Sequence, residues 1–357
     1  MSNPRRASST DRSPAVRGGR RAAARRPSRW SLEAVGRGRL PVVGFLLMVA
    51  AGLGALVVEA FGSAPGIVAT AGAVLVSTAY AWAVAARTGG RPVVFGLLAL
   101  AIGGTVLVTG GETVRSGAAV LTCAASAVLA VLITVPAVKV VQALREVLVA
   151  FAVAAVGAAA AIGFRPLIAL VRFEYTTLAL SLVIVLALVY RLGAGFHGLG
   201  RRGLVVLLGG GAVLALGLAY AELLRLYGTP ALVAWLFDAA HWSVEHLGAA
   251  PRPMQALLGI PMLAWGVHMR ARRRQGWWAC VFGVVGMVPI SHVLADPGMP
   301  LLQAVLTEVY SLVAGLAVGV LLIQADRLLS GSGGRRASRA EEEGAVRPEA
   351  GRVRPLL

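Results

Sequence analysis

The chain has 357 residues, of which 57% are hydrophobic and 14% are charged, and its mean hydropathy is +0.77. Soluble domains carry charge on about a quarter of their residues, so this composition excludes an ordinary soluble protein. The formal net charge of +18 comes almost wholly from arginine. Because the arginines cluster in the tails and in short loops beside apolar runs, we expect anionic lipid as their partner and no nucleic acid.

The first 38 residues (1–38) are rich in arginine and contain no apolar run, which predicts a disordered cytoplasmic tail. Eleven arginines precede residue 40, and the apolar run that follows is long enough to cross a membrane. We therefore expect no cleavable signal peptide. The preference for arginine over lysine, together with abundant Ala, Gly, Val and Leu, is typical of a bacterial genome rich in G and C.

Ten apolar runs follow, each bounded by charges, prolines or glycines. A helix needs about 20 apolar residues to cross about 30 Å of hydrocarbon, and each run approaches or exceeds that length. The sequence therefore predicts an all-α, polytopic integral membrane protein whose transmembrane domain covers 39–327. The predicted spans lie near 41–61, 66–86, 92–109, 117–138, 147–164, 175–190, 203–224, 254–269, 276–294 and 302–325.

Basic residues are unevenly divided between alternate loops. With a cytoplasmic N-terminus, the four inner loops hold eleven Lys and Arg residues in 31 positions, and the five outer loops hold five in 57. Loops rich in Lys and Arg stay in the cytoplasm. We therefore expect a multi-pass protein of the cell membrane with both termini in the cytoplasm. The inner loops are 87–91, 139–146, 191–202 and 270–275.

The segment 230–249 is moderately apolar but contains Asp238, His241 and Glu245. An Asp near the middle of a bilayer costs about 2.5–3.5 kcal/mol, which argues against an eleventh span. On a helical wheel the three polar residues lie opposite one apolar stripe. The segment 231–247 is therefore predicted to be an amphipathic helix at the outer surface. The stripe consists of Val233, Leu236, Phe237, Ala240, Val244 and Leu247.

The last residues, 328–357, have a mixed, low-complexity composition, which predicts a second disordered cytoplasmic tail. The two cysteines, Cys123 and Cys280, each lie inside an apolar run. They form neither a disulfide framework nor a metal-binding pair, and we expect both to be buried hydrophobic residues.

Ionisable residues in or near the spans are concentrated on the predicted outer side. Glu59, Glu222, His292 and Glu308 all fall in the outer halves of spans, where exposure to lipid would be costly. Glu308 is the deepest, about 9 Å along its helix from the outer end. These side chains are candidates for a substrate or proton site at the floor of an outward-facing polar cavity, with 231–247 as its cover.

Arg165 and Arg172 bracket Pro166 beyond the outer end of the fifth span. They are candidates for pairing with the acidic residues or for receiving an anion. An alternative without a functional site is that Glu59 and Glu222 reach to the outer headgroups and that His292 contacts a backbone carbonyl.

A metal site is a second possibility. Asp238, His241 and Glu245 share one helical face and, with His292, would supply ligands of the kind that zinc prefers. A solvated helix face carries the same residue types, and the sequence contains neither HExxH nor GxSxG. We therefore predict no cofactor, with a transition metal such as zinc as the alternative.

Three functions from different classes are compatible with this sequence. We favour a secondary transporter or permease for a small solute. The first alternative is a non-catalytic scaffold or subunit of a larger membrane complex, with partner subunits or further copies of the chain. The second is a membrane-embedded enzyme that acts on a lipid or envelope precursor at the outer face. Enzymatic activity stays open, although the favoured function does not require it.

Overall fold

A computed structural model describes residues 40–62, 65–167, 169–194, 196–273, 275–330 and 349–356. The chain divides into two compact units, Met1–Pro41 and Val42–Leu357. The predicted tail 1–38 lies outside the described residues. The architecture below is that of the second unit, together with the start of its first helix.

Every regular element among the described residues is a helix. We number the helices in chain order: α1 (Leu40–Ala60), α2 (Gly66–Arg87), α3 (Pro92–Thr109), α4 (Glu112–Leu132), α5 (Val140–Gly163), α6 (Leu170–Val189), α7 (Phe196–Tyr227), α8 (Pro230–Leu247), α9 (Ile260–Arg270), α10 (Gly276–Val281), α11 (Gly283–Ala295) and α12 (Leu301–Ser330). A π-helical turn, Tyr190–Ala194, follows α6, and a second, Gln255–Gly259, precedes α9.

Nine helical segments of the described chain are long and apolar enough to cross a membrane. They agree with nine of the ten predicted spans, and the segment 276–295 includes both α10 and α11. The tenth prediction, 254–269, is not among them. That region folds as a π-helical turn and the 11-residue α9, and it places the polar residues Gln255, His268 and Arg270 inside the protein. The structure therefore supports nine of the ten predicted segments as helices long and apolar enough to cross a membrane.

Large apolar side chains are widely exposed on the outer helices. On α1, Leu46 and Leu47 are exposed, and on α3 so are Phe95 and Leu97. Such extended apolar surface is unfavourable in water, whereas hydrocarbon chains of a bilayer would cover it without cost. The exposed surface and the nine apolar helices are together consistent with a multi-pass membrane protein.

The predicted fourth span, 117–138, begins and ends earlier than expected. Pro136 lies inside that predicted span, but α4 ends at Leu132, and an irregular connection leads to α5. This connection packs against α9, because the Ala137 amide donates to the Val267 carbonyl at 3.2 Å. The Ala137 carbonyl lies 3.0 Å from Nδ1 of His268. Proline lacks the amide proton that a continuous helix requires, which explains why the chain leaves the helix here.

The three successive glycines of α7, Gly209, Gly210 and Gly211, do not break the helix. Helix α7 is continuous from Phe196 to Tyr227. A Cβ on Gly210 would lie 2.5 Å from the ring of Phe282, whereas Gly209 and Gly211 have open space around them. Gly210 therefore serves close helix packing, as small residues commonly do in membrane proteins.

The described helices have two ends that carry different residues. We call one the arginine end: α2 ends there at Arg87, α9 ends at Arg270, and Arg327 of α12 donates to the Val138 carbonyl at 3.3 Å. We call the other the Glu308 end, where α11 finishes at Ala295 and α12 begins at Leu301.

The last described residues, 349–356, pack against the arginine end. The Leu356 amide donates to the Arg87 carbonyl at 2.8 Å, and the Leu356 side chain packs against the main hydrophobic core. This segment belongs to the range 328–357 that was predicted to be disordered. Its composition is polar, and its position depends on buried arginines that lie far away in the sequence, so local composition did not reveal the contact.

Candidate functional site

Close packing of glycines brings three helical segments together near the Glu308 end. A Cβ on Gly259 would collide with Gly286 of α11 and would lie 2.7 Å from the Val285 carbonyl carbon. A Cβ on Gly315 of α12 would lie 2.7 Å from Cβ of Ile260. The π-helical turn therefore sits between α11 and α12 at a distance that only glycine allows.

This packing places Gln255 beside Glu308. Gln255 is fully buried and Glu308 is 5% exposed. The Gln255 amide nitrogen donates to Oε2 of Glu308 at 2.7 Å and to the Gly286 carbonyl at 2.9 Å. The amide therefore joins α12 to α11 through the π-helical turn.

Two acceptor oxygens in this pair have no hydrogen-bond partner among the described residues. They are Oε1 of Gln255 and Oε1 of Glu308, and both atoms are buried. A buried acceptor without a partner costs free energy, and a buried carboxylate beside a neutral amide costs more. The pair can therefore accept a proton or a small cation, which would supply the missing partner.

A second polar cluster lies closer to the surface of the same end. Arg252 Nη1 is 3.0 Å from Nδ1 of His292, and Arg252 Nη2 is 3.4 Å from Oε2 of Glu174. The same Glu174 oxygen lies 3.4 Å from Nε2 of His292. The three side chains are 15–27% exposed, so this outer cluster is in partial contact with the exterior.

The outer cluster and the buried pair both contact helix α12. The Arg252 amide donates to Oγ of Ser311 at 2.8 Å, and Ser311 Oγ donates to the Thr307 carbonyl at 2.7 Å. Thr307 directly precedes Glu308, and Arg252 lies three residues before Gln255. The Arg252 backbone and the Gln255 side chain therefore contact α12 within one turn of each other.

The other predicted residues lie elsewhere. Glu59 and Arg165 form an ion pair with each other, and Arg172 is exposed. Glu222 lies in α7, but its side chain is outside the described residues. None of these has a described contact with Glu308 or His292, so the structure divides the predicted set.

The proposed metal ligands do not come together. Asp238, His241 and Glu245 of α8 are all exposed, and His292 is engaged by Arg252 and Glu174. Among the residues that the structure describes, no three His, Cys, Asp or Glu side chains are arranged to hold a metal ion. The zinc alternative therefore rests on the sequence alone.

The predicted outer helix is present, although it is packed less tightly than a cover would be. Helix α8 spans Pro230–Leu247, and its last carbonyl accepts a hydrogen bond from Tyr310 Oη at 2.8 Å. Phe237 and Leu247 of the predicted apolar stripe are exposed. The helix is therefore anchored to α12 at its C-terminus, while Phe237 and Leu247 are open to a membrane or a partner.

Sequence reasoning missed Glu174, Arg252 and Gln255. Glu174 and Arg252 lie outside the predicted spans, although Glu174 lies inside α6 and Arg252 directly precedes a buried helical segment. The signal that was available is a charged residue at the edge of an apolar run. Gln255 had no signal, since an uncharged amide in an apolar run is common.

Comparisons with known proteins give no family for this chain: no family model, no curated protein and no solved structure matches it.

Proposed function

We propose that this protein is a proton-coupled secondary transporter or permease for a small solute, with Glu308 as the residue that accepts the proton. The observation that carries the proposal is the buried pair of Glu308 and Gln255, in which two oxygens have no described partner. Ionisable side chains are rare inside apolar helices because they are costly there, and they commonly mark a pathway for ions or substrates.

The position of Glu308 supports a transport role. It lies seven residues into α12, which is about 10 Å along a helix at 1.5 Å per residue. Helix α12 belongs to a segment that is apolar enough to span a membrane. A carboxyl group at this depth that meets a neutral amide can exchange its proton without breaking an ion pair.

The outer cluster supplies an entrance for that exchange. Glu174 and His292 both carry groups that can take up a proton, and both contact Arg252. Arg252 in turn binds α12 one turn beyond Glu308, through Ser311. We propose that solute and proton enter from this end of the protein.

The membrane arrangement that goes with this function has ten crossings. The π-helical turn with α9 would be the tenth crossing, shielded from lipid by its neighbours, since nearly all its residues are buried. The loops rich in arginine and both termini would face the cytoplasm of a bacterial cell. The Glu308 end, with α8, would then face outward, and anionic lipid would contact the cytoplasmic tails.

Proton flux tests this function. The purified protein is reconstituted into liposomes that contain a pH-sensitive dye, and a potassium gradient with valinomycin drives proton entry. We expect wild type to acidify the interior faster than empty liposomes, and Glu308→Gln to abolish the difference, because an amide keeps the shape but cannot carry the proton.

Glu59→Gln is the matched control. It makes the same chemical change in a residue whose carboxyl group is paired with Arg165, away from the buried pair. Flux of Glu59→Gln should equal that of wild type. Flux above that of empty liposomes that is equal in wild type and Glu308→Gln rejects the proposed role of Glu308.

One observation favours a second function, that of a subunit in a larger membrane complex. Trp235, Phe237 and Trp242 of α8 are each more than half exposed, and aromatic residues are enriched where proteins bind partners. Replacing Trp235 and Trp242 with serine should then reduce the size of the complex that is extracted from membranes in mild detergent. An unchanged size would argue against this function.

A further inference from the structure

The arginine end holds a binding site for a carboxylate group, and the chain itself occupies it. Arg270 donates from Nη2 to Oε2 of Glu349 at 2.6 Å, and Trp277 donates from Nε1 to Oε1 at 2.9 Å. Each oxygen of the carboxylate therefore has its own donor. A pair of donors at this spacing recognises the geometry of a carboxylate or phosphate group.

Contacts other than the one with Glu349 also hold the Arg270 donor. The Arg270 guanidinium lies 3.5 Å from the ring centre of Trp277 and donates to Oγ1 of Thr134 at 2.8 Å and to the Thr134 carbonyl at 3.2 Å. Its side chain has no exposed surface. Stacking and burial fix the guanidinium plane, which lowers the entropy cost of binding.

A second buried guanidinium belongs to the same site. Arg87 is 4% exposed and donates from Nε to the Leu132 carbonyl at 2.9 Å. Its Nη1 donates to the carbonyls of Gly351 and Arg354, at 2.6 and 2.5 Å. These carbonyls are neutral acceptors that belong to the same C-terminal segment as Glu349.

The C-terminal segment 349–356 leaves two N–H donors without an acceptor and does not neutralise both guanidinium charges. Arg87 Nη2 and Arg270 Nε are buried and have no hydrogen-bond partner among the described residues. The Glu146 carboxylate is engaged by Arg352, at 2.7 and 2.9 Å, and by the Val135 amide. Among these described contacts Glu349 is thus the one carboxylate opposite the two buried guanidiniums, and a dianion would balance them better.

We propose that Arg87, Arg270 and Trp277 form a binding site for a soluble dianion with a carboxylate or phosphate group, and that Glu349 is its internal competitor. Glu349 belongs to the same chain as the guanidiniums, so it competes with an external anion as an intramolecular ligand. An external anion therefore binds only when it displaces the segment 349–356. The site lies at the opposite end from Glu308, so this inference does not depend on the proposed transport function.

Binding of radiolabelled inorganic phosphate tests the proposal. The full-length protein is placed in nanodiscs of neutral phosphatidylcholine, and binding is measured by equilibrium dialysis. We expect Glu349→Gln to bind phosphate at least about tenfold more tightly than wild type, because the amide keeps the segment length but loses the competing charge. Succinate should displace the bound phosphate.

Further variants locate the bound anion. Added to Glu349→Gln, the change Arg270→Gln should abolish binding, and Trp277→Phe should weaken it several-fold, because phenylalanine keeps the stacking surface and removes only the N–H donor. Glu112→Gln is the matched control, since it removes an exposed carboxylate from the start of α4 and should behave as wild type.

Three results would overturn the proposal. The first is equal phosphate affinity in Glu349→Gln and wild type, which would show that Glu349 does not compete. The second is unchanged binding after Arg270→Gln is added, which would place the anion elsewhere. The third is loss of phosphate binding in nanodiscs that contain phosphatidic acid, which would identify a lipid headgroup as the ligand.

Discussion

Gln255 and Glu308 are joined by a hydrogen bond of 2.7 Å from an amide to a carboxyl group, and both side chains are buried. The bond connects the π-helical turn to α12, while the second amide proton reaches α11 at Gly286. One side chain thus holds three helical segments together and also orients the carboxyl group that we assign to proton transfer.

The coupling between these two residues is measurable. Gln255→Leu removes the donor and leaves the Glu308 carboxyl group without a described partner, which should lower the free energy of unfolding by about 1–3 kcal/mol. The double variant Gln255→Leu/Glu308→Leu leaves neither side chain with an unpaired polar group. Its loss of unfolding free energy should therefore be smaller than the sum of the two single losses. Denaturant unfolding in detergent gives all four free energies, and strictly additive losses would show that the hydrogen bond contributes nothing.

Packing at Gly259 should tolerate no side chain. Gly259→Ala places a methyl group against the Gly286 backbone, and the cost of such overpacking is about 1–3 kcal/mol. Gly211→Ala in α7 is the control, since its Cβ would meet nothing within 4 Å. There alanine should be neutral or stabilising by about 0.5–1 kcal/mol. Equal changes in melting temperature for Gly259→Ala and Gly211→Ala would contradict this interpretation of the glycine contact.

Docking of the C-terminal segment should protect the bond between Arg352 and Val353 from trypsin. Arg352 is held by Glu146, and the residues around it contact buried arginines. Glu349→Gln weakens this docking, so cleavage at Arg352 should become about tenfold faster, which corresponds to about 1.4 kcal/mol of lost docking energy. Mass spectrometry of the released peptide 353–357 follows the reaction, and equal rates would mean that Glu349 does not hold the segment.

Orientation in the membrane can be read from cysteine labelling. Both native cysteines are buried, so they should react slowly with a membrane-impermeant maleimide. A cysteine at Asp238, on the exposed face of α8, should be labelled in intact cells. A cysteine at Arg91, beyond the end of α2, should be labelled only after the cells are opened. The reverse pattern would invert the proposed topology.

The sequence alone determined the helical class and nine helices long and apolar enough to span a membrane, because long apolar runs are visible without any contact. It also identified Glu308 as the deepest ionisable residue in the outer halves of the spans, since a carboxyl group in an apolar run is conspicuous. The amphipathic character of α8 followed in the same way from the spacing of Asp238, His241 and Glu245.

Only the tertiary structure decided which residues share a site. Glu308 meets Gln255 because two glycines let the π-helical turn approach α11, and periodicity carries no information on such an approach. The same holds for Glu174 with Arg252, 78 positions apart, and for Arg270 with Glu349, 79 positions apart. A polar contact between distant segments depends on how helices pack, and packing is a property of the whole chain.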